Sequence, residues 1–286
     1  MDIVSMVRAY KRPHMERELL GVLLCICIHS SESSTTYSMK LWQILLPCLA
    51  ILPGLTYGQG NITRPLNYAV VLFPSFQALD VFGPLDILNS LSMTYPLNLY
   101  ILAETLEPVS THHNMPAGPN SNVSESITPT HTFDNAPDDI EVLLVPGGVG
   151  TRAPAPVLDA HVAFIKKTYP TLKYLITVCT GVGLVARTGI LDGVRATGNK
   201  KAWAWVLAQS DKVHWVAEAR WVQSGNIWTT SGISAGLDGM YNYVQTIYGE
   251  DVALTLANDL EYERELDWKH DPFSKLYNLT DPVYPN

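Results

Sequence analysis

Residues 173–183 read Lys173-Tyr-Leu-Ile-Thr-Val-Cys179-Thr180-Gly181-Val-Gly183. An apolar, β-rich run enters this stretch and two glycines follow the cysteine, which is typical of a strand that turns sharply into a helix. Backbone N–H groups and the positive end of the helix dipole meet at such a turn and stabilise a thiolate. We therefore interpret Cys179 as a nucleophile. A buried structural thiol is the alternative, since free cysteine is among the most buried residue types.

Short β-rich runs alternate with helical patterns on both sides of this turn. The predicted strands cover about residues 66–73, 97–103, 141–145 and 172–178. The predicted helices cover about residues 79–91, 157–168, 180–188, 234–248 and 250–259, and a small β-meander is predicted over residues 215–219, 220–223 and 227–230. This alternation predicts an α/β fold, with a mostly parallel sheet and helices on both faces. Ligands of such folds bind at the carboxyl ends of the strands.

The turn after the first predicted strand leads to Asp80, at or near the start of a helix. Its neighbours Leu79, Val81 and Phe82 are apolar, so we expect burial to raise the carboxyl pKa and favour the protonated, proton-donating form. An acid that only caps the helix or complements its dipole is the alternative. Asp80 is the candidate proton donor beside the thiol.

Backbone groups at two further turns are candidates for substrate contact. Gly147 and Gly148 follow a predicted strand, and we expect their N–H groups to form an anion-stabilising wall beside the cysteine. An ordinary turn explains the same residues equally well. Gly181 allows close approach of a substrate, and the Thr180 hydroxyl is expected to bond the thiolate or the substrate.

No histidine follows the cysteine directly, although a Cys–His pair is the usual activated thiol. His131 or His214 remains open as a partner through the tertiary fold. The sequence has no Cys-x-x-Cys or His-Glu-x-x-His motif and no dinucleotide fingerprint with the required spacing. We therefore expect neither a metal nor a cofactor.

The charge of the chain indicates the class of partner. The net charge is −8, from 27 acidic and 19 basic residues. Such a surface repels phosphate backbones, so we expect no nucleic-acid partner.

The N-terminal region carries a pattern typical of secretion. Lys40 follows Met39 and precedes an apolar run over residues 41–55 and small residues near Gly58, which predicts a signal peptide over residues 39–58. The apolar run is shorter than the ~20 residues of a spanning helix, so we expect no stable membrane span. Residues 1–38 are an N-terminal extension of open role. The protein is expected to be secreted if Met39 is the start, and cytoplasmic otherwise.

Cleavage of this leader would remove Cys25, Cys27 and Cys48 and leave a single cysteine. Three glycosylation triplets would remain, which is consistent with a secreted glycoprotein; they begin at Asn61, Asn122 and Asn278.

Four ordered motifs resemble the ThiJ/PfpI superfamily over residues 66–250. They are Leu79-Asp80-x-x-Gly83-Pro84, Leu144-Val145-Pro146-Gly147-Gly148, Val178-Cys179-Thr180-Gly181 and Gly189-Ile-Leu191-Asp-Gly193-x-x-Ala196-Thr197. The resemblance implies a flavodoxin-like sandwich of the class I glutamine amidotransferase type, a cysteine on a nucleophile elbow, a carboxyl beside it, and a homodimer. Residues 251–286 are predicted to form a C-terminal helix and tail. We expect no appended DNA-binding domain, because no helix-turn-helix pattern follows residue 250.

Within this superfamily, Cys179-Thr180-Gly181 together with Leu79-Asp80 is similar to the isonitrile hydratases. That resemblance implies a small-molecule substrate, an isonitrile, which is hydrated to an N-substituted formamide through a cysteine thioimidate without a cofactor. Cys179 would be the nucleophile, Asp80 the proton donor and Thr180 a supporting hydroxyl. Asn199 stands where many relatives have histidine. A glyoxalase or deglycase activity of the same cysteine, and a non-catalytic binding or redox-sensing role, are the alternatives.

Overall fold

A computed structural model describes residues 63–113 and 121–283 of the chain. The strands are β1 (Asn67–Val71), β2 (Asn98–Ala103), β3 (Val109–Ser110), β4 (Ser126–Ile127), β5 (His131–Thr132), β6 (Val142–Val145), β7 (Tyr174–Thr177), β8 (Arg195–Ala196), β9 (His214–Trp215), β10 (Trp221–Ser224) and β11 (Ile227–Thr230). The helices are α1 (Ala78–Ser92), α2 (Asp159–Thr168), α3 (Gly181–Arg187), α4 (Trp203–Leu207), α5 (Ala235–Tyr248), α6 (Glu250–Asp259) and α7 (Pro272–Leu276). Two 3₁₀ segments, Val149–Arg152 and Tyr169–Thr171, complete the regular structure.

The main sheet has seven strands in the order β10-β11-β7-β6-β1-β2-β5. All neighbouring pairs are parallel except β10 and β11, which form an antiparallel hairpin at one edge. The central strands β6 and β7 are almost wholly buried. They are short apolar runs, as expected for strands that are covered on both faces by helices. The predicted α/β fold with a mostly parallel sheet is confirmed.

The connections place helices on opposite faces of this sheet. The chain moves from β1 through α1 to β2 in one direction along the sheet, and from β6 through α2 to β7 in the other direction. Because crossover connections are right-handed, two crossovers that run in opposite directions cover opposite faces. In agreement, α1 packs with α5 and α6, whereas α2 packs with α3.

Between β1 and β6 the chain therefore reverses its direction of progress across the sheet. Such a switch point opens a crevice at the carboxyl ends of the two strands, where α/β proteins bind their ligands. The turn that leads to Asp80 follows β1, the Gly147-Gly148 turn follows β6, and Cys179 follows the adjacent β7. The fold thus brings the three predicted turns to one edge of the sheet.

Two details differ from the sequence-based prediction. The expected three-stranded meander is wrong in its first strand, because β9 pairs with β8 in a separate parallel ribbon and only β10 and β11 form a hairpin. The polar stretch over residues 107–135 contains the short strands β3, β4 and β5. In both regions the strands have only two residues, too few for an alternating pattern to appear in the sequence.

The predicted signal peptide, the extension over residues 1–38 and the first glycosylation triplet lie outside the described residues. Within residues 63–113 and 121–283, no helix has the length and apolar character that a bilayer-spanning segment requires. Asn122 and Asn278, which begin the two other triplets, are both exposed.

Candidate active site

Cys179 lies on a strained turn between β7 and α3. Its φ is 59°, in the left-handed region that residues other than glycine rarely adopt. The turn is held by the Cys179 N–H, which donates to the Ser231 carbonyl at 3.0 Å. Gly181 is required at the start of α3, since a Cβ there would lie 2.3 Å from the Val145 carbonyl oxygen. The backbone thus forms the predicted elbow and presents one side chain at the end of the sheet.

Asp80 lies in the first turn of α1 and is completely buried. Its Oδ2 accepts a hydrogen bond of 2.9 Å from the Gly147 N–H, whereas its Oδ1 has no hydrogen-bond partner among the described residues. Burial raises the pKa of Asp80 to about 7, against the opposing effects of the Gly147 N–H and of the Cys179 thiol. The carboxyl therefore gains and loses its proton near neutral pH, next to the sulfur.

The thiol of Cys179 is only 5% exposed. Burial, and then the charge of Asp80, raise the pKa of this thiol to about 12. The Ile233 N–H, the Asn199 side chain and the Thr180 N–H act in the opposite direction. We predicted a stabilised thiolate from the helix dipole, but α3 has only seven residues and the burial effect is larger. In the resting site the sulfur therefore keeps its proton, and the carboxyl is the group that titrates.

The Thr180 hydroxyl is directed at the Gly148 peptide. Its Oγ1 accepts a hydrogen bond of 3.0 Å from the Gly148 N–H and lies 3.2 Å from the Gly148 carbonyl oxygen. Thr151 donates to the same Oγ1 at 3.0 Å. The N–H groups that we expected to stabilise an anion therefore already donate within the protein, from Gly147 to the Asp80 carboxyl and from Gly148 to the Thr180 hydroxyl. Buried polar groups need such partners, so in the structure Gly147, Gly148 and Thr180 position the acid and the elbow.

Two contacts to the sulfur were not assigned from the sequence. Asn199 Nδ2 lies 3.1 Å from Cys179 Sγ, and the Asn199 Oδ1 accepts from the Ala202 N–H at 2.9 Å, which fixes the orientation of the amide. The Ile233 N–H approaches the thiol from the segment after β11. In the sequence, Asn199 was visible only as a departure from the histidine of many relatives, and a backbone N–H leaves no sequence signal.

The two histidines that the sequence left open lie on other parts of the fold. His131 is on β5, four strands away from β7 across the sheet. At about 4.8 Å per strand this is a separation of roughly 19 Å. His214 is exposed on β9, in the separate ribbon with β8. The described residues also contain no group of three or more His, Cys, Asp or Glu side chains placed to hold a metal ion.

A buried ion pair involves Lys200, the residue that follows Asn199. Lys200 Nζ is 3.3 Å from Asp271 Oδ2, and both side chains are inaccessible to solvent. Nζ also donates to Thr197 Oγ1 and to two backbone carbonyls. Burial lowers the pKa of Lys200 to about 8, and Asp271 opposes this decrease. Because Ser231 donates to Asp271 at 2.6 Å, the pair joins the C-terminal tail to the segments that carry Asn199 and Ser231.

Comparison with known proteins identifies the family of the chain. The model of the DJ-1/PfpI family matches residues 68–246, more than half of the chain. The chain belongs to the DJ-1/PfpI family. The resemblance to ThiJ/PfpI proteins in the four sequence motifs is thereby confirmed.

Two relatives of the chain have different roles. The chain is 31% identical over 197 residues to an isonitrile hydratase of Pseudomonas putida, across 69% of this chain and 78% of that protein. It is 29% identical over 161 residues to the HTH-type transcriptional regulator GbdR of Pseudomonas aeruginosa, across 54% of this chain. That match covers 42% of the regulator, so the chain spans less than half of its length.

Two solved structures show the same fold. A ThiJ/PfpI family protein from Pseudomonas syringae is 28% identical and superimposes with a TM-score of 0.57, over 74% of this chain and 81% of that one. An AraC family transcriptional regulator from Pseudomonas putida superimposes with a TM-score of 0.55 at 17% identity, over 68% of this chain and all of that one. The second likeness concerns the fold alone.

Proposed function

We propose that this protein is an isonitrile hydratase-like enzyme that converts an isonitrile to an N-substituted formamide through a cysteine thioimidate. The observation that carries the proposal is the pairing of Cys179 with a buried carboxyl, Asp80, whose pKa of about 7 lets it exchange a proton at neutral pH. The 31% identity to an isonitrile hydratase supports the same reaction. No cofactor is needed for the steps that follow.

In the first step the thiol adds to the terminal carbon of the isonitrile. The Asp80 carboxylate accepts the thiol proton, the sulfur forms a bond to the isonitrile carbon, and Asp80 returns the proton to that same carbon. The product is the thioimidate R–N=CH–S–Cys179, so one S–H bond is broken and one S–C and one C–H bond are formed. A carboxyl that titrates near the working pH is suited to both transfers.

In the second step water displaces the sulfur. The water oxygen attacks the thioimidate carbon while the Asp80 carboxylate, again ionised, accepts a proton from that water. The C–S bond then breaks. The nitrogen gains one proton and the sulfur recovers the other, which releases R–NH–CHO and the free thiol. The overall change is addition of one water molecule to the isonitrile.

The donors around the sulfur stabilise the charge that develops on it in both steps. Asn199 Nδ2 lies 3.1 Å from the sulfur, and the N–H groups of Ile233 and Thr180 also lower the pKa of the Cys179 thiol. Fixed donors of this kind lower a barrier without reorganisation during the reaction. These donors stabilise the sulfur both when it attacks the isonitrile carbon and when it leaves the thioimidate carbon.

Turnover of a simple alkyl isonitrile tests the proposal. The full chain and its Cys179→Ala variant are incubated with isopropyl isonitrile, and N-isopropylformamide is measured by liquid chromatography and mass spectrometry. We expect formamide from the wild type and background from the variant. A folded wild type that gives no formamide, or a variant as active as the wild type, contradicts the proposal. Formation of lactate from methylglyoxal would instead support a glyoxalase, and stable oxidation of Cys179 without turnover a redox sensor.

We also propose that the enzyme acts as a homodimer, as the family resemblance implies. Multi-angle light scattering on a size-exclusion column should give twice the monomer mass at micromolar concentration. A monomer mass across that range would contradict this assembly.

A further inference from the structure

A cavity of about 210 Å³ is lined by two neighbours of the Cys179 sulfur, Asn199 and Ile233. Three segments form its walls: residues 199–201, Ser231–Ser234, and the C-terminal helix α7 with the residue that follows it. Asn199 and Ile233 line this cavity and are also the two residues that approach the Cys179 sulfur from this side. A molecule bound to the sulfur would therefore extend its substituent into this space.

The aromatic wall of the cavity comes from outside the family region. Phe273 and Tyr277 both line it, and they lie beyond residue 246, where the family match ends. Their rings are 43% and 40% exposed, so they present apolar surface that the protein itself does not cover. Ile233 adds an aliphatic residue to the lining of the cavity.

The position of α7 is fixed by buried contacts. Asp271 Oδ1 caps the helix by accepting from the Phe273 N–H at 3.0 Å. Its Oδ2 accepts from Ser231 and pairs with Lys200. The Ser274 hydroxyl donates to the Asp271 carbonyl at 3.0 Å. Helix α7 is thus anchored to the same segments that hold the thiol, and its aromatic side chains are a built part of the site.

The charge in the cavity is largely neutralised. The Lys200 ammonium is surrounded by four oxygen atoms, including an Asp271 carboxylate oxygen, and offers no free charge to a ligand. Lys201 is exposed at the cavity. The aromatic part of the lining therefore favours a substrate with an apolar substituent. A substrate with an anionic substituent is the alternative, because Lys201 could pair with it.

We propose that Phe273 and Tyr277 are specificity-determining residues that select a substrate carrying one compact aromatic or branched aliphatic group. The identity of the reacting group as an isonitrile rests on the proposed function. The cavity volume of about 210 Å³ is below the roughly 300 Å³ at which pockets for drug-sized ligands begin, so a single ring fits better than a larger skeleton.

Turnover of a series of isonitriles tests this inference. The value of kcat/KM is measured for methyl, cyclohexyl, benzyl and carboxymethyl isonitriles with the wild type, Phe273→Ala and Tyr277→Ala. We expect the wild type to prefer the benzyl over the methyl compound by about tenfold or more, since apolar pockets discriminate by this order. Each variant should lose most of that preference, with a larger decrease in kcat/KM on the benzyl than on the methyl compound. Leu276→Ala is the matched control, because Leu276 is exposed on the same helix and does not line the cavity.

Several outcomes would overturn the inference: equal use of methyl and benzyl isonitriles, a preference for the carboxymethyl compound, or an equal loss on all substrates in Phe273→Ala. The last result would mean that the ring only supports the structure.

A second measurement separates this inference from the proposed reaction. The rate at which iodoacetamide and N-benzyl iodoacetamide alkylate Cys179 is followed by mass spectrometry of the Cys179 peptide, in the wild type and the same variants. A preference for the benzyl reagent that Phe273→Ala removes would support the aromatic wall even if no isonitrile is hydrated, in which case only the proposed reaction fails. If the wild type hydrates isonitriles but Phe273→Ala does not change the substituent preference, the proposed reaction is supported and the specificity role of Phe273 is contradicted.

Discussion

The Asp80 carboxyl and the Cys179 thiol share one buried site, although they follow different strands of the sheet. Asp80 Oδ2 accepts from the Gly147 N–H, and its Oδ1 has no hydrogen-bond partner within residues 63–113 and 121–283, while the Cys179 N–H donates to the Ser231 carbonyl. Each side chain shifts the pKa of the other. The protonation states of the Asp80 carboxyl and the Cys179 thiol are therefore coupled, and the proposed reaction depends on which of the two groups holds the proton.

Replacement of Asp80 by asparagine should remove the proton carrier and retain the shape of the side chain. The amide oxygen can still accept from the Gly147 N–H, so we expect the fold to persist. Isonitrile hydration should fall about 10²–10⁴-fold in kcat/KM, the usual contribution of a positioned acid or base. Asp86→Asn is the control, since Asp86 is an exposed acid on the same helix. Hydration by Asp80→Asn at the wild-type rate would exclude Asp80 as the proton donor.

The raised pKa of Asp80 should make the folded protein less stable as the pH rises. Folded Asp80 binds a proton up to about pH 7, whereas the unfolded carboxyl releases it near pH 4. The folded state therefore binds more protons between these values, and the free energy of unfolding decreases as the pH rises from 4 to 7. The total effect is on the order of 4 kcal/mol. Urea unfolding of the wild type and Asp80→Asn at several pH values measures it as a difference, and parallel curves would contradict the assignment.

Asn199 should tune the acidity of the thiol. In Asn199→Asp the retained oxygen can still accept from the Ala202 N–H, but the donor to the sulfur becomes a carboxylate. We expect the pKa of Cys179 to rise and kcat/KM to fall at least tenfold, because a fixed donor becomes a like charge. The pH profile of Cys179 alkylation by iodoacetamide measures the thiol directly. A profile unchanged from the wild type would mean that Asn199 does not act on the sulfur.

Replacing only one partner of the Lys200–Asp271 pair should lower the free energy of unfolding strongly. Lys200→Met leaves a buried carboxylate without its cation, which typically costs about 3–5 kcal/mol. Adding Asp271→Asn removes the charge and retains an acceptor for Ser231, so the double variant should recover much of this loss. Urea unfolding of the two single variants and the double variant completes the cycle. Additive losses would indicate that the pair is not coupled.

The N-terminal leader that we propose predicts a processed protein. Expression of the chain from Met39 in a eukaryotic secretory host should release a protein whose N-terminus lies near Gln59. Edman sequencing or N-terminal peptide mapping of the medium identifies it. Intact protein retained in the cytoplasm would favour the alternative location.

The sequence was sufficient for the parts of the site that depend on the order of strands and turns. Cys179, Asp80 and the two-glycine turn were each found at the end of a strand, and the reversal between β1 and β6 brings them together. The protonated character of Asp80 was also expected, but for an incomplete reason. Leu79 and Phe82 are each about two-fifths exposed, so the burial of Asp80 comes mainly from tertiary packing. Adjacent residues on a helix face different directions.

Other features depended on contacts that no local pattern encodes. The two N–H groups expected to face a substrate instead satisfy Asp80 and Thr180, and the donors to the sulfur come from Asn199 and Ile233. Helix α7 has only five residues, too short to give a helical period in the sequence. Its importance arises from long-range burial of Asp271 against Lys200.

The Ser231 residue links the chemistry of the sheet to the tail. Its carbonyl accepts from the Cys179 N–H and its hydroxyl donates to Asp271, so one residue connects Cys179 to the segment that contains Phe273 and Tyr277. The two parts nevertheless come from separate stretches of the gene. Under the proposed role of Phe273 and Tyr277, a change in this last stretch alters which molecules are accepted while Cys179 and Asp80 stay unchanged.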